Sequence, residues 1–585
     1  MEFTILQGYV VAVVLLLIVA LYREWFNPAL TFFIAILALL LAGVLTPLEL
    51  LRGLSNQQII VIFLLILITA GIRSVFGGDW FSTVFKVNQN PRTFVLKMAT
   101  FSASVSAFLN NTPIVAFLIP YVKEWAERNG TPPSKLLIPL SYSTILGGMI
   151  TVIGTSTNLV LLGLISQYNL PLLGYRDFLF LGIIVTAFGI GYLYFVGYRL
   201  LPDRASKLNA VRQNLKEYIV EAEVPQGSPL AGKSVKDAGL RNLKDLFLVE
   251  IIRHDAVISP VSPEEELAAG DSLYFSGNTQ SIYNLIQQNN GLRIVQDSPD
   301  DQFNFVEAVI PATSTLIGQR IKDSDFRKKF NASIVAIHRD GKRVSGRIGE
   351  RQLSGGDFLL LLSGNHQHAN LQEKDVFFVS VPRKVESRRS ALRAGVGIGS
   401  AVLLVAGISG MLPLFTACLI ILTAMILFKI LNLEQITRNL DFNLLMVLVC
   451  SLAIGVAIEK SGAASVVAGG LIEVSKSLGS VGALSVLFLI TTAVTALVTN
   501  PAAVSIMFPI AMELAEQLQV SYTPFFVAIA FAASGDFITP IGYQTNLMVY
   551  GPGGYSFKDF ARVGTPLTVL YAIICITFIT WYYQL

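Results

Sequence analysis

The chain is a succession of long apolar runs set off by short polar segments. Uninterrupted runs occupy residues 5–22, 28–46, 57–76, 178–200, 389–409, 412–431, 441–460 and 562–583. A helix crossing a bilayer core of about 30 Å needs roughly 17 to 25 such residues, so each run predicts a membrane span. Residues 93–166 and 480–550 are also apolar, but Gly, Asn, Ser and Thr break them repeatedly. The densest break is GGMITVIGTSTNLV, Gly147 to Val160, with three glycines, four hydroxyl side chains and an asparagine. Between 201 and 387 the pattern shortens to strand-like runs such as LFLVEII and FLLLLSG, interleaved with charge. That segment predicts a water-soluble α/β insert between two membrane halves.

Both parts carry duplications. GMITVIGTSTNL (148–159) aligns with DFITPIGYQTNL (536–547), so that Ile150, Thr151, Ile153, Gly154, Thr157 and Asn158 recur 388 positions on as Ile538, Thr539, Ile541, Gly542, Thr545 and Asn546. Upstream, SAFLNNTPIVAFLIP (106–120) aligns with TALVTNPAAVSIMFP (495–509), pairing Asn111 with Asn500 and Pro120 with Pro509. Within the insert, SPLAGKSVKD (228–237) matches STLIGQRIKD (314–323), and AAGDSLYFSG (268–277) matches SGGDFLLLLSG (354–364).

These patterns predict five crossings per half: three plain helices, one interrupted helix and a last plain helix, with a re-entrant hairpin before the interruption. An odd count inverts the second half relative to the first, the plan of many secondary transporters. Most loop cations, among them Arg23, Arg73, Arg92, Lys123, Lys135, Arg199, Arg393 and Arg562, then share one side, while Arg52, Arg176, Lys460 and Lys476 take the other. By the positive-inside rule the first side is cytoplasmic, so the insert faces inward and both termini outward. The first run has neither a cationic leader nor a small-residue cleavage site, and is expected to be retained as a span.

Composition agrees. The 585 residues are 53% apolar and 14% charged, with mean hydropathy +0.61, against roughly 25% charged in soluble domains. The formal charge of +4 gives no footprint for nucleic acid. Cys418, Cys450 and Cys575 lie in apolar runs, where a thiol packs as a small hydrophobe, and the four histidines, including His366 and His368, show no metal-ligand spacing. No nucleophile with a base and no phosphate-binding loop appears, so an enzyme is not expected. Trp80 and Trp125 are expected as interfacial anchors.

Irregular backbone at membrane depth survives only inside protein or beside a water-filled cavity. Gly147, Gly148, Gly154, Gly535 and Gly542 permit such breaks sterically. The tips NNT (110–112) and TNP (499–501) each precede an early Pro, Pro113 or Pro501, suited to a helix's first turn. A helix start offers free N–H groups to an anion, and released carbonyl and hydroxyl oxygens suit Na⁺. Asp536 stands where the first half has Gly148, and an ionisable group at that depth is a functional candidate, here for cation or proton coupling; the alternative is a carboxylate that merely caps the break. Asn110 either contacts substrate or caps the second hairpin arm.

The insert matches carry a resemblance to the C-terminal subdomain of RCK (TrkA-C-like) domains: an "spL-x-G-k-s" opening and a "G-D-x-L-x-x-x-G" close, without the Gly-x-Gly-x-x-Gly of the dinucleotide-binding half. The resemblance implies dimerisation or a small regulatory ligand. The tips and breaks resemble the divalent-anion:sodium symporter family, which carries Ser-Asn-Thr at both tips. It covers residues 1–200 and 388–585, and the insert points to the branch associated with sulfate uptake.

That resemblance implies a homodimer in the plasma membrane, working as an elevator, with Na⁺ as coupling ion and no organic cofactor. Asn110 for one Ser and Pro501 for one Thr depart from the dicarboxylate carriers and favour sulfate. The expected fold is therefore a multi-pass α-helical membrane protein with an inverted repeat: residues 1–200 (hairpin 93–127, interrupted helix 135–166) and 388–585 (hairpin 480–518, interrupted helix 523–550). Two RCK-C-like modules, 201–300 and 301–387, separate the halves. Expected substrate contacts are Asn110, Asn111, Thr112, Thr499, Asn500, Pro501 and Ala502. Expected sodium ligands are Asn111, Thr151, Gly154, Thr155 and Asn158, and Asn500, Thr539, Gly542, Thr545 and Asn546. A dicarboxylate symporter, a Na⁺/H⁺ antiporter and an anion sensor remain alternatives.

Overall fold

The computed structural model describes residues 4–75, 90–204, 219–277, 291–294, 305–363, 375–378, 391–432 and 442–585, apart from single residues and short gaps within these ranges. Trp80, His366, His368 and Ile541 lie outside the described residues.

The first half contains α1 (Ile5–Tyr22), α2 (Pro28–Leu41), α3 (Pro47–Leu54), α4 (Gln57–Val75), α5 (Pro91–Ser106), α6 (Asn111–Arg128), α7 (Leu137–Gly148), α8 (Ser156–Gln167) and α9 (Tyr175–Tyr192), the last continuing through a π turn to Leu200. The run 28–46 stops early, because Gly43 turns the chain at a φ of 71°. Thr46 and Glu49 then cap α3 reciprocally, with Pro47 in its first turn. The second half contains α10 (Ala391–Ile408), α11 (Leu414–Leu427), α12 (Phe442–Lys460), α13 (Ala463–Ser475), α14 (Gly479–Thr495), α15 (Asn500–Leu518), α16 (Tyr522–Ser534), α17 (Gln544–Tyr550) and α18 (Phe557–Tyr583). Helix α13 is an element the apolar runs did not predict; it follows α12 across a 73° bend.

Residues Pro47–Ile72, Tyr175–Leu200 and Phe557–Tyr583 are each long and apolar enough to cross a membrane. Shorter apolar helices of 10–17 residues accompany them, among them Ile5–Leu21 and Tyr522–Ser534. Each polar stretch resolves into two helices joined at a tip, followed by a broken helix. Helix α7 packs against both α5 and α6, and α16 against both α14 and α15. Between halves, α6 packs on α17 and α15 on α8. Because lipid tails are as apolar as the side chains, close backbone approach has to supply much of the association. Gly182 of α9 is one such point: a Cβ there would lie 2.5 Å from the Ile150 Cα in the first break. Trp125, expected at an interface with lipid, is instead 4% exposed. It stacks on Phe94 with ring centroids 3.7 Å apart, because α5 and α6 close over it.

The insert forms two five-stranded sheets. The first comprises β1 (Ile219–Glu223), β2 (Leu246–Arg253), β3 (Ala256–Ile258), β4 (Ser272–Gly277) and β5 (Arg293–Ile294). The second comprises β6 (Phe305–Val309), β7 (Ala332–Arg339), β8 (Lys342–Arg343), β9 (Phe358–Ser363) and β10 (Phe377–Phe378). Their orders, β3-β2-β4-β1-β5 and β8-β7-β9-β6-β10, superpose strand for strand. The same bidentate ion pair closes each sheet. Arg253 holds Asp271 through Nε and Nη2 at 2.8 Å each, and Arg339 holds Asp357 at 2.7 and 2.8 Å. Each aspartate also accepts a backbone N–H, from Ala268 or Ser354.

The second sheet docks on the membrane part. Glu307 of β6 pairs with Lys123 of α6, and both are buried. The Lys123 ammonium lies 5.9 Å from the Phe358 ring centroid. A Cβ on Gly551, just beyond α17, would lie 2.7 Å from the Phe358 Cβ. Val309 and Phe358 accordingly join the apolar core of the membrane helices.

Candidate substrate and ion site

The two tips are built alike. In the first, Asn111 opens α6 and its Oδ1 accepts from the Ser106 hydroxyl at 2.5 Å. Ser106 also meets the Thr144 carbonyl at 2.8 Å. In the second, Thr495 donates to Asn500 Oδ1 at 3.1 Å and lies 2.7 Å from the Ala533 carbonyl. Each pair therefore ties a tip asparagine to the end of the adjoining broken helix. Pro501 and Ala502 are buried in the first turn of α15. Asn110 acts as a cap: its side chain accepts from the Thr112 N–H at 3.3 Å.

The breaks are also alike. Asn158 donates to the Thr151 carbonyl at 3.1 Å, and Asn546 to the Thr539 carbonyl at 3.1 Å. Each asparagine sits in the second helix of its pair and satisfies a carbonyl freed by the unwinding. A Cβ on Gly154 would lie 2.7 Å from the Ser106 carbonyl, and one on Gly542 2.8 Å from the Thr495 carbonyl. Only glycine lets break and tip approach this closely. Thr151 donates to the Ala107 carbonyl, and Thr155 meets Thr157 at 3.2 Å. The predicted residues of each half are thus together.

The halves differ at Asp536. It is 2% exposed, its Oδ2 accepts from Thr539 at 3.2 Å, and its carbonyl accepts from Asn546 at 3.0 Å. Among the described residues no Lys, Arg or His forms an ion pair with it. Ser534 Oγ and Thr499 Oγ1 are buried with no hydrogen-bond partner among the described residues. The donor set is neutral oxygen plus one carboxylate, which fits a hard monovalent cation. No cluster of His, Cys, Asp and Glu suited to a transition metal occurs among the described residues.

Side chains not predicted join the halves. Asn111 donates to the Tyr543 hydroxyl. Thr112 donates to Gln544 Oε1 at 3.1 Å. Ser141 of α7 meets Thr545 at 2.9 Å and Asn546 at 2.7 Å, and Tyr142 donates to the Phe537 carbonyl at 2.5 Å. The signal for Tyr543 and Gln544 lay in the duplication: they replace Thr155 and Ser156 inside otherwise matching GTSTNL and GYQTNL.

A family model described as "Citrate transporter" matches residues 14–414 and 401–585. A protein of Chlamydomonas reinhardtii with the provisional name of a sulfur deprivation response regulator is 35% identical, covering 94% of this chain and 97% of its own. An uncharacterized transporter of Synechocystis sp. is 31% identical over 96% of this chain and 94% of its own. Sodium/sulfate cotransporter 2 of Chlamydomonas reinhardtii is 25% identical over 97% and 89%. The chain is a membrane transporter, not an enzyme, and it belongs to the citrate-transporter family of the divalent-anion:sodium symporter type.

Proposed function

We propose that the protein is a sodium-coupled symporter that brings sulfate or a related divalent oxyanion into the cell. The observation that carries this reading is the doubled tip and break, each drawing oxygen donors together, the second around a buried Asp536 that forms no ion pair among the described residues. An ionised carboxylate there needs a compensating cation, and a divalent anion beside neutral helix starts needs the same. Na⁺ meets both needs. Asn111 with Thr151, Gly154, Thr155 and Asn158 forms one sodium site, and Asn500 with Thr539, Gly542, Thr545 and Asn546 the other. The anion lies between Asn110 to Thr112 and Thr499 to Ala502. Names of relatives such as sodium/sulfate cotransporters support sulfate.

In this reading the halves are inverted repeats, the termini face outward, and residues 201–387 are cytoplasmic RCK-C-like modules open to a small regulatory ligand. The transporter is a homodimer in the plasma membrane, with tips and breaks moving as an elevator. The docking of the second sheet on α6 and α17 supports regulation, since those helices also carry Asn111, Thr112, Gln544 and Asn546. The name of the Chlamydomonas relative favours a second reading, an anion sensor signalling through the insert. Deleting residues 210–385 separates them: a sensor loses its signal and keeps transport.

Competition against radiolabelled sulfate in proteoliposomes, by thiosulfate, selenate, molybdate, phosphate, succinate and citrate, tests the substrate class. Selenate should compete comparably with sulfate. Stronger competition by succinate or citrate would reassign the protein to the dicarboxylate carriers.

A further inference from the structure

The contacts between the two halves are lopsided. The second break sends two long side chains to the first tip: Tyr543 to Asn111 and Gln544 to Thr112. The first break has Thr155 and Ser156 at the matching positions. The second tip keeps Thr499 Oγ1 buried and without a partner among the described residues. The tip asparagines and the break asparagines are otherwise held by matching hydrogen bonds. A phenol and a carboxamide from the second half therefore cover the first tip.

We infer that Tyr543 and Gln544 set the size limit of the anion site, confining it to a compact tetrahedral oxyanion seated toward Thr499 and excluding longer dicarboxylates. The inference rests on the anion-transport reading and deepens it. Tyr543 is braced by Asn111, so its ring cannot swing aside without stranding the buried Asn111 amide, a costly outcome. A dicarboxylate spanning both tips would have to displace it. A tetrahedral oxyanion needs only the N–H groups at the start of α15, the Thr499 hydroxyl and the near face of the pair. Bracing of this kind makes selectivity a matter of exclusion as much as attraction.

The test uses the full-length protein in proteoliposomes. Wild type, Tyr543→Thr/Gln544→Ser and Tyr543→Phe are compared for sulfate uptake and for its inhibition by succinate. In the double variant, which installs the first half's residues, succinate should gain on sulfate by about tenfold or more in relative inhibition. Tyr543→Phe keeps the ring but removes the hydroxyl that braces it, and should relax the ratio by less than the double variant does. In wild type, inhibition should fall off steeply from sulfate through malonate to succinate, a readout that needs no variant to fold. A flat series in wild type would overturn the inference, as would an unchanged ratio in the double variant with sulfate uptake retained, or Tyr543→Phe relaxing selectivity as far as the double variant does. Wild type that moves none of these anions would overturn the transport reading itself.

Discussion

Asp536 is the residue whose presence is hardest to explain without transport. An ionised carboxylate removed from water loses several kcal/mol of solvation even after relaxation, and the hydroxyl contact with Thr539 returns only about 1.5 to 3 kcal/mol of it. Asp536→Asn keeps the shape and removes the charge. Sodium-driven uptake should fall by about tenfold or more, and its sodium and pH dependence should change; an unaltered dependence on both would leave the carboxylate with only a capping role. In the insert, Glu250 is buried beside Tyr274, which also meets Glu221. Burial pushes the Glu250 carboxyl up to about 7 from 4.5. A raised carboxyl binds its proton more tightly folded than unfolded, so its contribution to stability is complete below about 4.5 and is lost as pH rises to about 7. Glu250→Gln should therefore flatten the pH dependence of the melting temperature across that window, as followed by thermal unfolding. At this scale the sequence is informative where the repeats differ: Asp536 against Gly148, Tyr543 against Thr155. It is silent on Trp125, whose burial depends on how α5 and α6 close over the ring, not on its neighbours in sequence.

The broken helices are the elements on which the mechanism depends. Their backbone is held open by Asn158 and Asn546, and the tips reach them only because Gly154 and Gly542 lack a Cβ. In Gly542→Ala the new methyl meets both the Asp536 carboxylate and the Thr495 carbonyl. Overpacking of this kind costs about 1 to 3 kcal/mol. Uptake should be nearly abolished while the protein remains folded in detergent, as gel filtration and melting would show; normal uptake would mean that the break and the tip do not need this approach. The breaks and tips were legible from polar clusters inside apolar runs, and their pairing from a shared offset. The ends of α2 were not, because hydropathy does not register a positive-φ turn at Gly43. Helix α13 was missed for a related reason: hydropathy does not report the bend that separates it from α12.

At the scale of the whole molecule, the insert and the site share two helices. Lys123 and Glu307 are a buried pair, and removing one partner strands the other at a cost of about 3 to 5 kcal/mol. Lys123→Ala should loosen the second sheet from α6 and α17, seen as faster proteolysis of residues 305–378 and altered uptake, whereas Lys123→Met with Glu307→Leu should restore docking. The loop charges predict one shared side for Lys123 and the insert. The sequence does not reveal their contact, because the partners are far apart in the chain and only the folded sheet brings Glu307 to α6. Coupled movement of Na⁺ and a divalent oxyanion is read out by radiolabelled sulfate uptake into proteoliposomes under an imposed inward Na⁺ gradient. Accumulation above equilibrium with Na⁺ outside, absent when K⁺ replaces it, is the predicted result. No sulfate uptake, with a change in luminal pH driven by the same Na⁺ gradient, would contradict the account and identify an antiporter.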